Sequence, residues 1–272
     1  MWFGKCGLAA LALGAAVAAA PGAAAAVPVD LELVLGIDVS GSVDEDEGAL
    51  QRDGYVAALQ DAQVISAIKG GMLGRIAATY VEWADEEGQS VVVGWTLIDG
   101  EASARAFALA IARAPAARGL YTSISGAMRF AAPMFDNNGF EGTRRVLDLS
   151  GDGPNNVGGL VARSRDAIIA RGITVNGLPI VNDRLDRYGA PMPNLDLYYR
   201  DCVIGGPGAF LVVAEDFRSF AVAIRRKLIL EIAGLAPAPP RPLLHRAADA
   251  ERWAPPCDEG ERRMRRRFRD SY

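Results

Sequence analysis

Residues 31–42, Leu31-Glu32-Leu33-Val34-Leu35-Gly36-Ile37-Asp38-Val39-Ser40-Gly41-Ser42, open as an apolar run and end in a polar loop. The run 33–37 reads as a strand buried on both faces, the kind found inside a parallel sheet. Asp38, Ser40 and Ser42 follow at alternate positions, and Asp44, Glu45, Asp46 and Glu47 then look like the first turn of a helix. A carboxylate and two hydroxyls thus stand at the C-terminal end of a strand, where open α/β sheets place their ligands. Such oxygens are hard donors, suited to Mg²⁺ or a similar cation. The same residues admit a structural reading. Ser42 and Glu45 have the spacing of a capping box, and Asp and Ser are ordinary turn formers.

Outward from this stretch, helical and extended patterns alternate. Residues 44–61 read as a helix weakened by Gly48 and Gly54, and 63–69 as a second short one. The β-rich runs 75–83 and 90–98 are joined by Asp85-Glu86-Glu87-Gly88, which predicts a hairpin and one antiparallel strand. Residues 101–114 are Ala-rich and helical, and 119–123 lead into a helix ending at Phe135. A strand at 145–149 runs into the turn formers of 150–156, followed by a helix over 158–171 and a strand over 173–180. A short helix at 195–202 and the turn Gly205-Gly206-Pro207-Gly208 precede a last strand at 209–214. Phe217, Phe220, Ala221, Ile224, Leu228, Ile232 and Leu235 then fall at helical spacing. The pattern predicts an α/β fold: a mainly parallel central sheet with one antiparallel strand and helices on both faces.

The ends differ from this middle. Residues 1–26 read as a secretory signal peptide, with one lysine, an Ala-rich apolar core and small residues near Ala26. No other segment is long and apolar enough to span a bilayer. Export to the periplasm or the medium is therefore expected, where Cys202 and Cys257 have the option of pairing. From 236 the chain turns Pro- and Arg-rich with little apolar surface, which predicts a disordered tail over 236–272. Residues 28–235 hold 19 Lys+Arg against 27 Asp+Glu, a balance of −8, which argues against nucleic acid as a partner. The single histidine, His245, lies in the tail, so a Ser-His-Asp triad or a multi-His zinc site is not expected within the domain. Trp83 and Trp95 read as packing residues, and Asp148 stands inside an apolar strand, where an unpaired carboxylate is costly. The Gly205–Gly208 turn lacks the lysine and hydroxyl of a phosphate-binding loop.

Three loops carry oxygen donors: Asp38-Val39-Ser40-Gly41-Ser42, Gly119-Leu120-Tyr121-Thr122 and Ser150-Gly151-Asp152-Gly153. In this order they resemble the metal-ion-dependent adhesion site of von Willebrand factor type A domains, over about residues 29–235. The stretches 150–156 and 173–180 resemble an uncharacterised bacterial exported subfamily of such domains. The third loop departs from the family's pattern, because Gly151 separates Ser150 from Asp152. The resemblance implies a Rossmann-like A domain with metal residues Asp38, Ser40, Ser42, Thr122 and Asp152. It implies Mg²⁺, or Mn²⁺ or Ca²⁺, with the serines as direct ligands and the aspartates acting largely through water. It also implies a protein partner presenting an Asp or Glu to the cation, and a binding module rather than an enzyme. Asp44 and Asp46 are candidates for a second cation or simply first-turn helix acids. A metal-dependent hydrolase or phosphatase using Asp38 is the alternative, since an Asp ending a first parallel strand can be a nucleophile.

Overall fold

A computed structural model describes residues 1–2, 25–182, 190–235 and 252–270. The strands are β1 (Val27–Val29), β2 (Glu32–Asp38), β3 (Ile76–Trp83), β4 (Gln89–Ile98), β5 (Phe140–Gly142), β6 (Arg145–Gly151) and β7 (Thr174–Pro179). The helices are α1 (Glu45–Leu59), α2 (Ala62–Lys69), α3 (Glu101–Arg113), α4 (Ile124–Ala131), α5 (Val161–Ile169), α6 (Leu195–Tyr198), α7 (Phe220–Ile232) and α8 (Glu259–Asp270). A five-stranded sheet has the order β4-β3-β2-β6-β7, and β1 pairs with β5 beside it. β2 runs parallel to β3 and β6, β7 runs parallel to β6, and β4 alone is antiparallel.

β2 is central, and every residue in it is buried, as its unbroken apolar run requires. Alternate residues serve two cores. Leu33, Leu35 and Ile37 meet Tyr55 of α1, Phe107 of α3 and Phe220 and Ile224 of α7 on one face. Val34 lies on the other with Trp83, Leu149, Ile124 and Met128 of α4 and Tyr199. Helices on both faces make this the α/β sandwich that the alternation of elements predicts. Both tryptophans pack as expected: Trp83 is fully buried, and the Trp95 indole donates to the Met134 carbonyl at 3.0 Å.

Three expectations change. The capping box at α1 belongs to Asp44 and Glu47, not to Ser42 and Glu45: each side chain accepts the other's backbone N–H at 2.9 Å. This frees Ser42 for the loop. Residues 209–214 form two isolated parallel bridges, Leu211 to Gly177 of β7 and Ala214 to Ile180 just past its end, rather than a full strand. The ladder is broken between these bridges because Pro179 has no N–H to give the Val212 carbonyl, and before them the Phe210 N–H goes to the Asn176 side chain at 2.9 Å. The described part of the tail is not disordered. Residues 252–270 include α8, and Cys257 is disulfide-bonded to Cys202, with the two Cα atoms 5.3 Å apart. Arg252 pairs with Asp196 at 2.6 Å, so a covalent tether and polar contacts hold what composition alone would release. Residues 3–24 of the signal-peptide reading, and 236–251 with His245, lie outside the described residues. Among the described residues, no helix is long and apolar enough to cross a membrane.

Candidate metal centre

The three loops meet at the C-terminal edge of β2 and β6. Asp38 is the last residue of β2, and its Oδ1 accepts the Ser40 N–H at 2.8 Å, which folds the loop back over the strand end. That turn brings the Ser40 and Ser42 hydroxyls to 3.2 Å from each other. The Thr122 hydroxyl, just before α4, donates to Ser40 Oγ at 3.2 Å. The Ser42 hydroxyl donates to Asp152 Oδ1 at 2.6 Å. All five predicted residues thus form one cluster, although 114 positions of sequence separate the first from the last. Asp38, Ser40, Thr122 and Asp152 are buried, and Ser42 is partly exposed.

The surrounding bonds fix the loops. Gln51 of α1 donates to the Asp38 carbonyl at 3.2 Å. The Asn156 side chain accepts the Thr122 N–H at 2.9 Å, and the Asn156 N–H returns to the Thr122 carbonyl at 2.8 Å, locking the second loop to the third. Asn155 Oδ1 accepts the Ser125 N–H at 2.8 Å, and its amide donates to Glu261 of α8 at 2.8 Å. Its backbone N–H donates to the Tyr198 hydroxyl at 3.2 Å. Sequence reading sees Asn155 and Asn156 only as turn formers. It sees no role for Tyr198 or Tyr199, since nothing in a short apolar segment marks which ring points at a distant loop.

Gly151, the departure in the third loop, has a local cause. A Cβ there would stand 2.8 Å from both Asp38 Oδ2 and the Tyr199 hydroxyl, so these two groups take the space a side chain would fill. Ser150, one residue earlier, faces away, with its Oγ 3.5 Å from the Gly36 carbonyl. Asp44 is committed to capping α1, and this accounts for it without a second cation.

Electrostatically, the cluster is short of positive charge. Burial, and then the Asp152 carboxylate, raise Asp38 to about 8. Burial, then the charges of Asp38 and Asp152, push the Tyr199 hydroxyl up as well. Among the described residues, Asp38 Oδ2 is buried with no hydrogen-bond partner, a costly state for a carboxylate oxygen. Among the described residues, no group of three or more His, Cys, Asp or Glu is disposed to hold a metal ion. The donor set here is instead two carboxylates and three hydroxyls. Hard oxygens around an unsatisfied buried carboxylate fit a divalent cation such as Mg²⁺.

Comparisons with known proteins agree with this fold. No curated protein matches the chain. Among solved structures, the proximal thread matrix protein 1 of the mussel byssus is similar at 14% identity and a TM-score of 0.55, covering 77% of this chain and 48% of that one. A second structure of that protein is described as having a zinc-occupied MIDAS motif, at a TM-score of 0.52 and 14% identity. A von Willebrand factor type A protein from Catenulispora acidiphila is similar at 18% identity and a TM-score of 0.51, covering 75% of this chain and 43% of that one. The pilus adhesin SpaC of Lactobacillus rhamnosus GG is similar at 15% identity and a TM-score of 0.53, covering 76% of this chain and 31% of that one. The chain spans about half or less of the length of these structures. A family model, "Protein of unknown function (DUF1194)", matches residues 28–236. Because that match takes in most of the chain and all five clustered residues, the chain belongs to the DUF1194 family, whose fold here is that of a von Willebrand A domain.

Proposed function

We propose that this chain is an exported binding module that captures a carboxylate of a protein partner at a divalent-cation site. Asp38, Ser40, Ser42, Thr122 and Asp152 would hold the ion. The observation that carries the reading is their convergence into one hydrogen-bonded cluster around a carboxylate oxygen that lacks a donor among the described residues. The bound cation would supply the positive charge and a coordination position for an Asp or Glu of the partner. The chain's own part is to present neutral hydroxyls, which leave that charge under-compensated, and to hold the aspartates behind them. The mussel and pilus proteins support a binding role by analogy of fold, and the zinc-bearing motif of the former supports a divalent ion. Mg²⁺, Mn²⁺ and Ca²⁺ are the candidate ions.

The enzymatic alternative fares less well. Asp38 is fully buried, and a nucleophile must meet its substrate. Export to the periplasm or the medium fits both the N-terminal segment and the Cys202–Cys257 disulfide, since such bonds persist in oxidising compartments. The test is calorimetric titration of the mature protein with Mn²⁺ and Mg²⁺. Asp38→Ala is expected to abolish binding while circular dichroism shows a folded domain. A folded Asp38→Ala variant that keeps full ion affinity would overturn the assignment.

A further inference from the structure

Beside the candidate site lies a recess of about 280 Å³, lined among others by Ser40, Val43, Asp85, Arg118 and Leu120. Ser40 belongs to the oxygen cluster, so the recess borders that cluster. It contains one carboxylate and one guanidinium. The carboxylate is committed: Asp85 Oδ1 accepts the Tyr121 N–H at 2.6 Å and the Leu120 N–H at 3.2 Å. Arg118 is not committed. It is exposed, and among the described residues it has no ion-pair or hydrogen-bond partner.

Its backbone is nonetheless held firmly. On one side, Arg52 pairs with Glu82 and donates to the Ala114 carbonyl at 2.5 Å, and Glu82 Oε2 accepts the Ala117 N–H at 3.3 Å. On the other, the Gly119 N–H donates to the Val39 carbonyl at 2.9 Å. Only glycine allows this approach, because a Cβ at Gly119 would stand 2.2 Å from the Ala84 Cβ. An unpaired cation on a segment whose backbone is held, lining the recess beside the cluster, is available as an anion contact. The domain's balance of −8 would otherwise repel an acidic partner, and at physiological salt a local charge outweighs distant ones.

Resting on the cation reading above, we propose that Arg118 is a specificity residue of this site. The recess takes an acidic side chain of the partner, whose carboxylate is shared between the cation and the Arg118 guanidinium. Val43 and Leu120 cover its apolar stem.

The test uses the full mature chain loaded with Mn²⁺ and two blocked peptides, Gly-Gly-Glu-Gly-Gly and its glutamine counterpart, titrated by NMR. The wild type is expected to bind the glutamate peptide and to discriminate against the glutamine one. Arg118→Gln should keep the Mn²⁺ affinity, weaken the glutamate peptide about tenfold and lose most of that discrimination, with Arg118→Lys recovering part of it. Equal peptide affinity in Arg118→Gln and wild type, or no glutamate preference in the wild type, overturns the role of Arg118 while Mn²⁺ binding stands. Failure of the wild type to bind Mn²⁺ removes the cation reading, and the Arg118 proposal with it.

Discussion

Replacing Lys227 by methionine is expected to destabilise the fold by about 3–5 kcal/mol near neutral pH and by far less in acid. Lys227 Nζ lies 2.5 Å from Asp148 Oδ1 and 3.1 Å from Glu231 Oε2, and all three side chains are fully buried between α7 and the sheet. Glu231 also accepts from Asn176 at 2.7 Å, and the lysine stands over the Phe210 ring, 5.3 Å from its centroid. Among the described residues, no other cation is within ion-pair distance of either carboxylate. Burial, and then the Glu231 charge, raise Asp148 to about 7 against the opposing pull of Lys227. Folded Asp148 therefore keeps a proton across a window, from about pH 4 to about pH 7, in which the unfolded chain has lost it. The stability this contributes is complete below the unfolded value and is lost as pH rises through the folded one. The whole window is worth roughly 4 kcal/mol. Methionine keeps the apolar stem and removes the charge, so Asp148 loses the cation that offsets its burial, and the penalty grows as pH rises and that carboxyl ionises. Urea unfolding followed by tryptophan fluorescence, at about pH 4.5 and about pH 7.5, measures it. A loss under about 1 kcal/mol near neutral pH, or an equal loss at both pH values with unchanged slope, would refute the argument. Asp148→Asn in the same background should restore part of the loss.

Cys257→Ser opens a loop that spans 55 residues of sequence separation. It should lower stability by about 4 kcal/mol, with wild type in reductant matching the variant in urea midpoint. Asn155→Ala strips partners from the Ser125 N–H and from Glu261. It is expected to lower stability by about 1–3 kcal/mol and also to weaken Mn²⁺ binding, because the third loop loses its anchor. Arg52→Met breaks the pair with Glu82 and frees the Ala114 carbonyl. Amide hydrogen exchange should quicken over 114–121 while α7 stays protected, and uniform quickening would count against a local role.

Much of this architecture is legible in the sequence, for identifiable reasons. β2, β3, β6 and β7 are short apolar runs bounded by turn formers, and the Asp85–Gly88 turn alone announces the antiparallel edge. The clustering of Asp38, Ser40, Ser42, Thr122 and Asp152 is legible only through the family resemblance, since Asp and Ser in the first loop alone read equally as turn formers. The order of the other two loops then repeats a known pattern. What escapes is whatever depends on meeting across the fold. Asn155 and Asn156 look like any turn asparagines until one is seen bonding Ser125 and Glu261 and the other Thr122. Composition predicts disorder for the tail because it counts apolar surface. It does not register a disulfide that ties Cys257 to the segment carrying Tyr198 and Tyr199.

The same limit explains Asp148, and it bears on how the site is supported. A carboxylate in a central strand reads as an anomaly, because an unpaired one is costly there. The structure resolves it: β6 is flanked by β2 and β7, and the partner is Lys227, 79 residues later on a helix whose apolar stripe hides the lysine. Strand alternation then sends neighbouring β6 residues in opposite directions. Val146 and Leu147 serve different cores, and Asp148 faces α7 while Leu149 faces Tyr199 and Trp83. One short strand therefore anchors a buried ion cluster on one face and, through Gly151 and Asp152 at its end, the oxygen cluster at its tip. A Lys227 variant measured for Mn²⁺ affinity as well as stability tells whether these two ends are energetically joined. Independence predicts an unchanged ion affinity in the folded fraction, and coupling through β6 predicts a parallel loss.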